Sequence, residues 1–224
     1  MNKDAYNAQD NPINDRKKTV KRGPNVLHLE YLGGLSEDDL KEINENLSKA
    51  NLELSSFNKS GVFYNSIDEY SLVTYFVIHQ VLIIEILKNI GTSALWDSIK
   101  WSLMFGWNKL KGKTYHKGVG SKITEEKVKF GLSVKLDENT GFNFELDGNL
   151  DKEIIESSLD KVFDFLKEQK VNDNYKIPDY VYYSEKEEKW LKIDVIAEII
   201  KKTKNNKNKA LEKILKEKRK TKKK

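Results

Sequence analysis

The feature that most constrains this chain is a run of strict alternation. Val128, Phe130, Leu132, Val134 and Leu136 are separated by Lys129, Gly131, Ser133 and Lys135. After Asp137-Glu138-Asn139-Thr140-Gly141 the pattern resumes, with Phe142, Phe144 and Leu146 set between Asn143, Glu145 and Asp147. Successive side chains of a strand point to opposite faces, so this pattern predicts a β-hairpin with one apolar face. An apolar sheet face must be covered. The amphipathic segment that begins at Asn149 or Asp151, with Ile154, Ile155, Leu159, Val162, Phe163 and Leu166 on one face, predicts a helix suited to cover it.

Upstream, Val26–Leu32 reads as a strand closed by Gly33-Gly34. Ser36, three residues before Asp39, forms the pattern of a capping box, and Leu40, Ile43 and Leu47 follow at helical spacing up to a stop at Asn51. Leu52–Phe57 predicts a second strand, which Val62-Phe63-Tyr64 extends or pairs with. From Ser66 to about Asn89 an apolar stretch predicts a helix, with Asp68 and Glu69 in its first turn and Lys88 in its last. A second apolar helix, Leu95–Leu110, carries Trp96, Trp101, Phe105 and Trp107. A membrane span needs about 20 mostly apolar residues. His79, Gln80 and Glu85 in the first segment, and Asp97 and Lys100 in the short second one, favour a buried helical hairpin over insertion or interfacial attachment.

This order predicts an α+β fold: an antiparallel sheet with helices packed on one face, a ferredoxin-like or split βαβ variant, plus a C-terminal helical extension. Ile177–Tyr183 is a tyrosine-rich connection or edge strand. Ser184–Lys202, with Trp190, Leu191, Ile193, Val195, Ile196, Ile199 and Ile200, predicts a helix docked on the body. The organisation expected is an arm (1–24), a body (25–170), a connection with a docked helix (171–202) and a basic tail (203–224). The arm is polar, lacks the apolar stretch of a secretory signal, and carries the solvated cluster Arg16-Lys17-Lys18.

Charge is unevenly distributed. From Lys201 to Lys224 there are thirteen Lys or Arg against Glu212 and Glu217, a net of +11, so a chain of net +5 leaves 1–200 at −6. An acidic body therefore carries a basic tail. Cysteine is absent, which excludes disulfides, thiolate zinc sites and cysteine nucleophiles and is compatible with a cytoplasmic location.

Motifs for chemistry are weak. Gly112-Lys113-Thr114 ends like a phosphate-binding loop, but Trp107 stands where that loop needs glycine, and a helix precedes it instead of a strand. Gly118-Val119-Gly120-Ser121-Lys122 is too short for a dinucleotide loop and reads as a surface connection. Asp179 with Glu187 and Lys189 has the residue types of a magnesium-dependent nuclease, yet Ser184–Lys189 is almost wholly charged and reads better as a solvated first helical turn. His28, His79 and His116 fall on separate elements with no carboxylate at ligand spacing. No catalytic residue, metal site or cofactor is expected. The polyanion-binding candidates are Lys201, Lys202, Lys204, Lys207, Lys209, Lys213, Lys216, Lys218, Arg219 and Lys220, in a segment without aromatic residues to stack on bases. The partner-facing candidates are Trp96, Trp101, Phe105 and Trp107.

The succession of strand, helix, strand, a long helical segment ending in Trp107-Asn108-Lys109-Leu110-Lys111, hairpin and closing helix resembles the small effector-associated domains of bacterial conflict and defence systems. The resemblance spans about Val26 to Lys170, and the aromatic weight of the long segment departs from it. It implies a non-catalytic adaptor or sensor domain. The expectation is thus a non-enzymatic accessory protein that binds a protein partner, with the tail contacting a polyanion. The alternatives are a nucleic-acid-binding protein and, behind it, a magnesium-dependent nuclease or a membrane-associated protein.

Overall fold

The computed structural model describes residue 21 and residues 23–60, 72–88, 94–119, 122–137, 140–169, 179–194, 196, 197, 200, 201, 203 and 204. The elements are β1 (Val26–Tyr31), α1 (Glu37–Ser48), β2 (Glu53–Asn58), β3 (Thr74–Ile78), α2 (Gln80–Lys88), α3 (Ala94–Leu110), β4 (Thr114–Val119), β5 (Lys122–Lys127), β6 (Phe130–Lys135), β7 (Gly141–Leu146), α4 (Lys152–Asp160), α5 (Val162–Glu168), β8 (Asp179–Ser184) and β9 (Lys189–Lys192). Val62-Phe63-Tyr64 and the arm lie outside the described residues, apart from Lys21 and the two residues 23 and 24.

The fold is α+β, but its sheet is mixed, not antiparallel as the sequence suggested. Seven strands run in the order β2-β1-β3-β6-β7-β8-β9. β1 with β2, β3 with β6, and β7 with β8 are parallel; β1 with β3, and β6 with β7, are antiparallel. Parallel neighbours need a long crossover, and each such pair has a helical one. α1 joins β1 to β2, α2 and α3 lie between β3 and β6, and α4 and α5 join β7 to β8. The mixed sheet gives no support to a ferredoxin-like arrangement.

The expectation failed first at residues 74–78, assigned to one long helix. Thr74, Tyr75, Val77 and Ile78 are β-branched or aromatic and suit a strand. As β3 lies inside the sheet, both of its faces are covered: Thr74, Phe76, Val77 and Ile78 are all buried. The alternation that reveals a half-buried strand is therefore missing. Residues 114–127, taken in part as a surface connection, form a two-stranded sheet of β4 and β5. Ser184–Lys192 is not the start of a helix. β8 ends at Ser184, residues 185–188 turn, and β9 follows, so β8 is not an edge strand.

The predicted alternation does set the core. Leu29, Phe76, Leu132, Phe144 and Val181 form one row across five strands, each no more than 1% exposed. Ile43, Leu47, Leu103, Trp107, Ile155 and Leu159 from the helices join the same apolar cluster. Phe144 meets Phe165 and Trp190 edge-on, at centroid separations of 5.5 and 5.0 Å. Such pairs contribute about 0.5–1.5 kcal/mol each beyond the area they bury. Gly106 brings α3 close to the sheet, since a Cβ there would meet Phe130 Cζ at 2.9 Å.

The capping box forms as the sequence predicts. Asp39 donates its amide to Ser36 Oγ at 3.1 Å, and Asp39 Oδ2 accepts from the Ser36 amide at 2.9 Å. Among the described residues no helix is long and apolar enough to cross a membrane. The chain divides into two units, Met1–Leu191 and Lys192–Lys224.

Candidate interaction surface and a buried polar network

Helix α3 is apolar on both sides. Ile99, Leu103, Trp107 and Leu110 face the core. Trp101 and Phe105, one turn apart, stack on the outside with centroids 5.1 Å apart and planes at 20°. Trp101 is 38% exposed. Beside the pair, α3 and α4 enclose a groove of about 380 Å³. Trp101, Met104 and Phe105 form its apolar lining, and Asp97, Lys100, Asn108, Lys152 and Glu156 its polar rim. The rim is pinned by Lys100 on Asp160 at 2.7 Å and Lys152 on Glu156 at 3.5 Å.

The same helix is tied to α1. Lys109 Nζ lies 2.6 Å from Asp39 Oδ1 and 5.0 Å from the Phe105 ring centroid. The hydrogen bond from Lys109, with the Ser36 amide, holds the Asp39 carboxyl down at about 2. Asp39 correspondingly raises the Lys109 ammonium.

The four aromatic candidates separate. Trp101 and Phe105 reach the groove. Trp96 is half-buried and packs edge-on against Phe163 at 4.5 Å. Trp107 lies in the core, 1% exposed, and donates from Nε1 to the Asp147 carbonyl at 3.3 Å. Of the basic candidates, Lys201 and Lys204 are helical and exposed, while Lys202, Lys207, Lys209, Lys213, Lys216, Lys218, Arg219 and Lys220 lie outside the described residues.

Of the nuclease triplet, Asp179 starts β8 with its side chain outside the described ones, and among the described residues no group of three or more acids or histidines is placed to hold a metal. Glu187 and Lys189 are exposed in and beside the β8–β9 turn and pair with each other at 3.0 Å, which raises the lysine.

A second feature escaped the sequence reading. On the sheet face opposite the apolar row, Glu30 Oε2 accepts from the Tyr75 hydroxyl at 2.8 Å and lies 3.8 Å from Lys59 Nζ. Lys59 also sits 4.5 Å from the Tyr75 ring centroid. His28 Nδ1 meets Ser55 Oγ at 3.1 Å, and His28 Nε2 is 3.7 Å from Glu30 Oε1. His28, Glu30, Ser55 and Lys59 are all at least nine-tenths buried. The signal was present: residues two apart on a strand share a face, so His28 and Glu30 had to be neighbours. Serine, histidine and glutamate invite comparison with a nucleophilic relay. Ser55 is buried, however, and its hydroxyl accepts the Lys21 amide at 3.3 Å. An incoming carbonyl would have to displace that bond. The arrangement sets the Glu30 and Lys59 charges against each other and ties β1 to β2 and β3, while His28 Nε2 is buried without a hydrogen bond.

No protein-family model, no curated protein and no solved structure matches the chain.

Proposed function

We propose that the chain is a non-enzymatic accessory protein whose α3–α4 groove receives an apolar side chain of a protein partner. The observation that carries this reading is the Trp101–Phe105 stack, open to solvent beside a groove with a charged rim. Binding energy concentrates where aromatic anchors are ringed by polar groups that exclude water. The rim carries both charge signs, which suits a protein surface better than a uniform polyanion. A setting in bacterial defence or signalling rests on the resemblance in element order. The basic segment from Lys201 adds contact to a polyanion, for which the net of +11 is the support.

The test begins with purification from the source cell and identification of what accompanies the chain. The purified partner is then titrated against the wild type and Trp101→Ala. The substitution is expected to weaken binding by about tenfold or more while lowering the melting temperature by only a few degrees. Equal affinity for both chains would remove the groove from the interface. A second reading, nucleic-acid binding through the basic segment, predicts retention on DNA or RNA that falls steeply with salt and is lost when 201–224 is deleted.

A further inference from the structure

The basic segment begins with a helix on which Ile196 and Ile200 are exposed. Asp194 starts it: its Oδ1 accepts the Ala197 amide at 2.9 Å, the bond of an N-cap three residues ahead. Ile196, Ala197, Ile200, Lys201, Thr203 and Lys204 are helical. Ile196 and Ile200 are one turn apart on one helix face, 72% and 49% exposed. Thr203 and Lys204 follow Ile200 on that face at the next turn, where Lys204 ends the apolar stripe, and Lys201 falls to its side; both lysines are exposed.

We propose that this helix lies in the plane of an anionic lipid surface, with Ile196 and Ile200 entering the headgroup–acyl boundary and the lysines holding the headgroups. The inference rests on the polyanion reading above and names the polyanion. Three occupants compete, and the residues discriminate among them. A second copy would bring two segments of net +11 together, and like charge opposes that pairing. A nucleic acid would satisfy the lysines but has no use for two exposed aliphatic side chains, and no aromatic residue from Lys201 to Lys224 is present to stack on a base. An anionic bilayer answers both halves of the pattern, negative charge at the surface and an apolar layer directly beneath. Long lysine stems let the ammonium groups stay with the headgroups while the isoleucines descend. Such a helix lies on a membrane and does not span it, in keeping with the absence of any spanning helix among the described residues.

The experiment uses the full chain in sedimentation with vesicles of phosphatidylcholine alone and vesicles that also contain phosphatidylserine. Parallel retention assays use duplex DNA and RNA. The wild type is expected to sediment with the phosphatidylserine vesicles only, and added salt should weaken the binding. The double variant Ile196→Ser with Ile200→Ser leaves every charge in place. It is expected to bind those vesicles about tenfold or more weakly, the loss of two buried aliphatic side chains. If the variant binds as tightly as the wild type, the isoleucines do not enter the lipid and the proposal is overturned. Retention on nucleic acid with no vesicle binding overturns it too, while leaving the polyanion reading intact. Failure on every anionic surface overturns both.

Discussion

The two faces of the seven-stranded sheet are built on opposite principles. On one face, the row from Leu29 to Val181 meets a layer of helices mainly through apolar and aromatic contacts, with Trp190 Nε1 donating to the Ser158 carbonyl at 2.7 Å. On the other, β1, β2 and β3 place His28, Glu30, Ser55, Lys59 and Tyr75 in a buried network of charge and hydrogen bonds. An apolar contact is non-directional, and its loss is felt in proportion to the volume removed. A buried polar network is different. Removing one member takes a partner from buried polar groups, so the damage depends on what remains.

The largest expected effect lies on the apolar face. Phe144→Ala empties a position shared by Phe165 and Trp190, and denaturant unfolding should show a loss of about 3–5 kcal/mol. On the polar face, Glu30→Ala should cost about 3 kcal/mol because Lys59 keeps its charge in a buried place. The sharper test is the double replacement Glu30→Met with Lys59→Met, expected to recover most of that loss. If the double variant is as unstable as Glu30→Ala, the two faces do not differ in the way described.

The Asp39–Lys109 link provides a smaller, pH-dependent comparison outside both sheet faces. Folding depresses the Asp39 carboxyl from an unfolded value of 3.8 to about 2. Its contribution is fully present above the unfolded value and is lost as pH falls from about 4 towards 2. Asp39→Asn should remove that part of the acid sensitivity, measured as a flatter plot of stability against pH below 4. The smallest effect on stability should come from Trp101→Ala, about 1 kcal/mol for the lost stack on Phe105, because that ring packs outside the core. A large loss there would mark Trp101 as structural and weaken the interface reading.

These contrasts also explain what could be read in advance. The β6–β7 hairpin announced itself because one face is buried and its polar residues alternate with apolar ones. The capping box at Ser36 and Asp39 was equally direct, being a local pattern. β3 was hidden by being buried on both faces, which turned its alternation into an unbroken apolar run. The mixed topology then followed from a strand that had not been counted. For the site, aromatic residues on α3 were visible, but which ones face outward depends on the helix's rotation against the sheet. That rotation separates Trp101 from Trp107. The polar network needed only the two-residue period at His28 and Glu30, and two of its other members come from strands that are neighbours only in the folded sheet.

The β4–β5 hairpin interrupts the path from β3 to β6, and the chain enters and leaves it at almost the same point. The Val128 amide bonds to the Lys113 carbonyl at 2.8 Å, closing the base of the excursion. The fourteen residues between them thus form an insert joined to the chain at one base, with Lys127 Nζ reaching Asn149 Oδ1 at 3.3 Å. Its length and side chains can vary without altering where α3 ends or where β6 begins. Shortening this insert is therefore expected to leave the β3–β6 register unchanged.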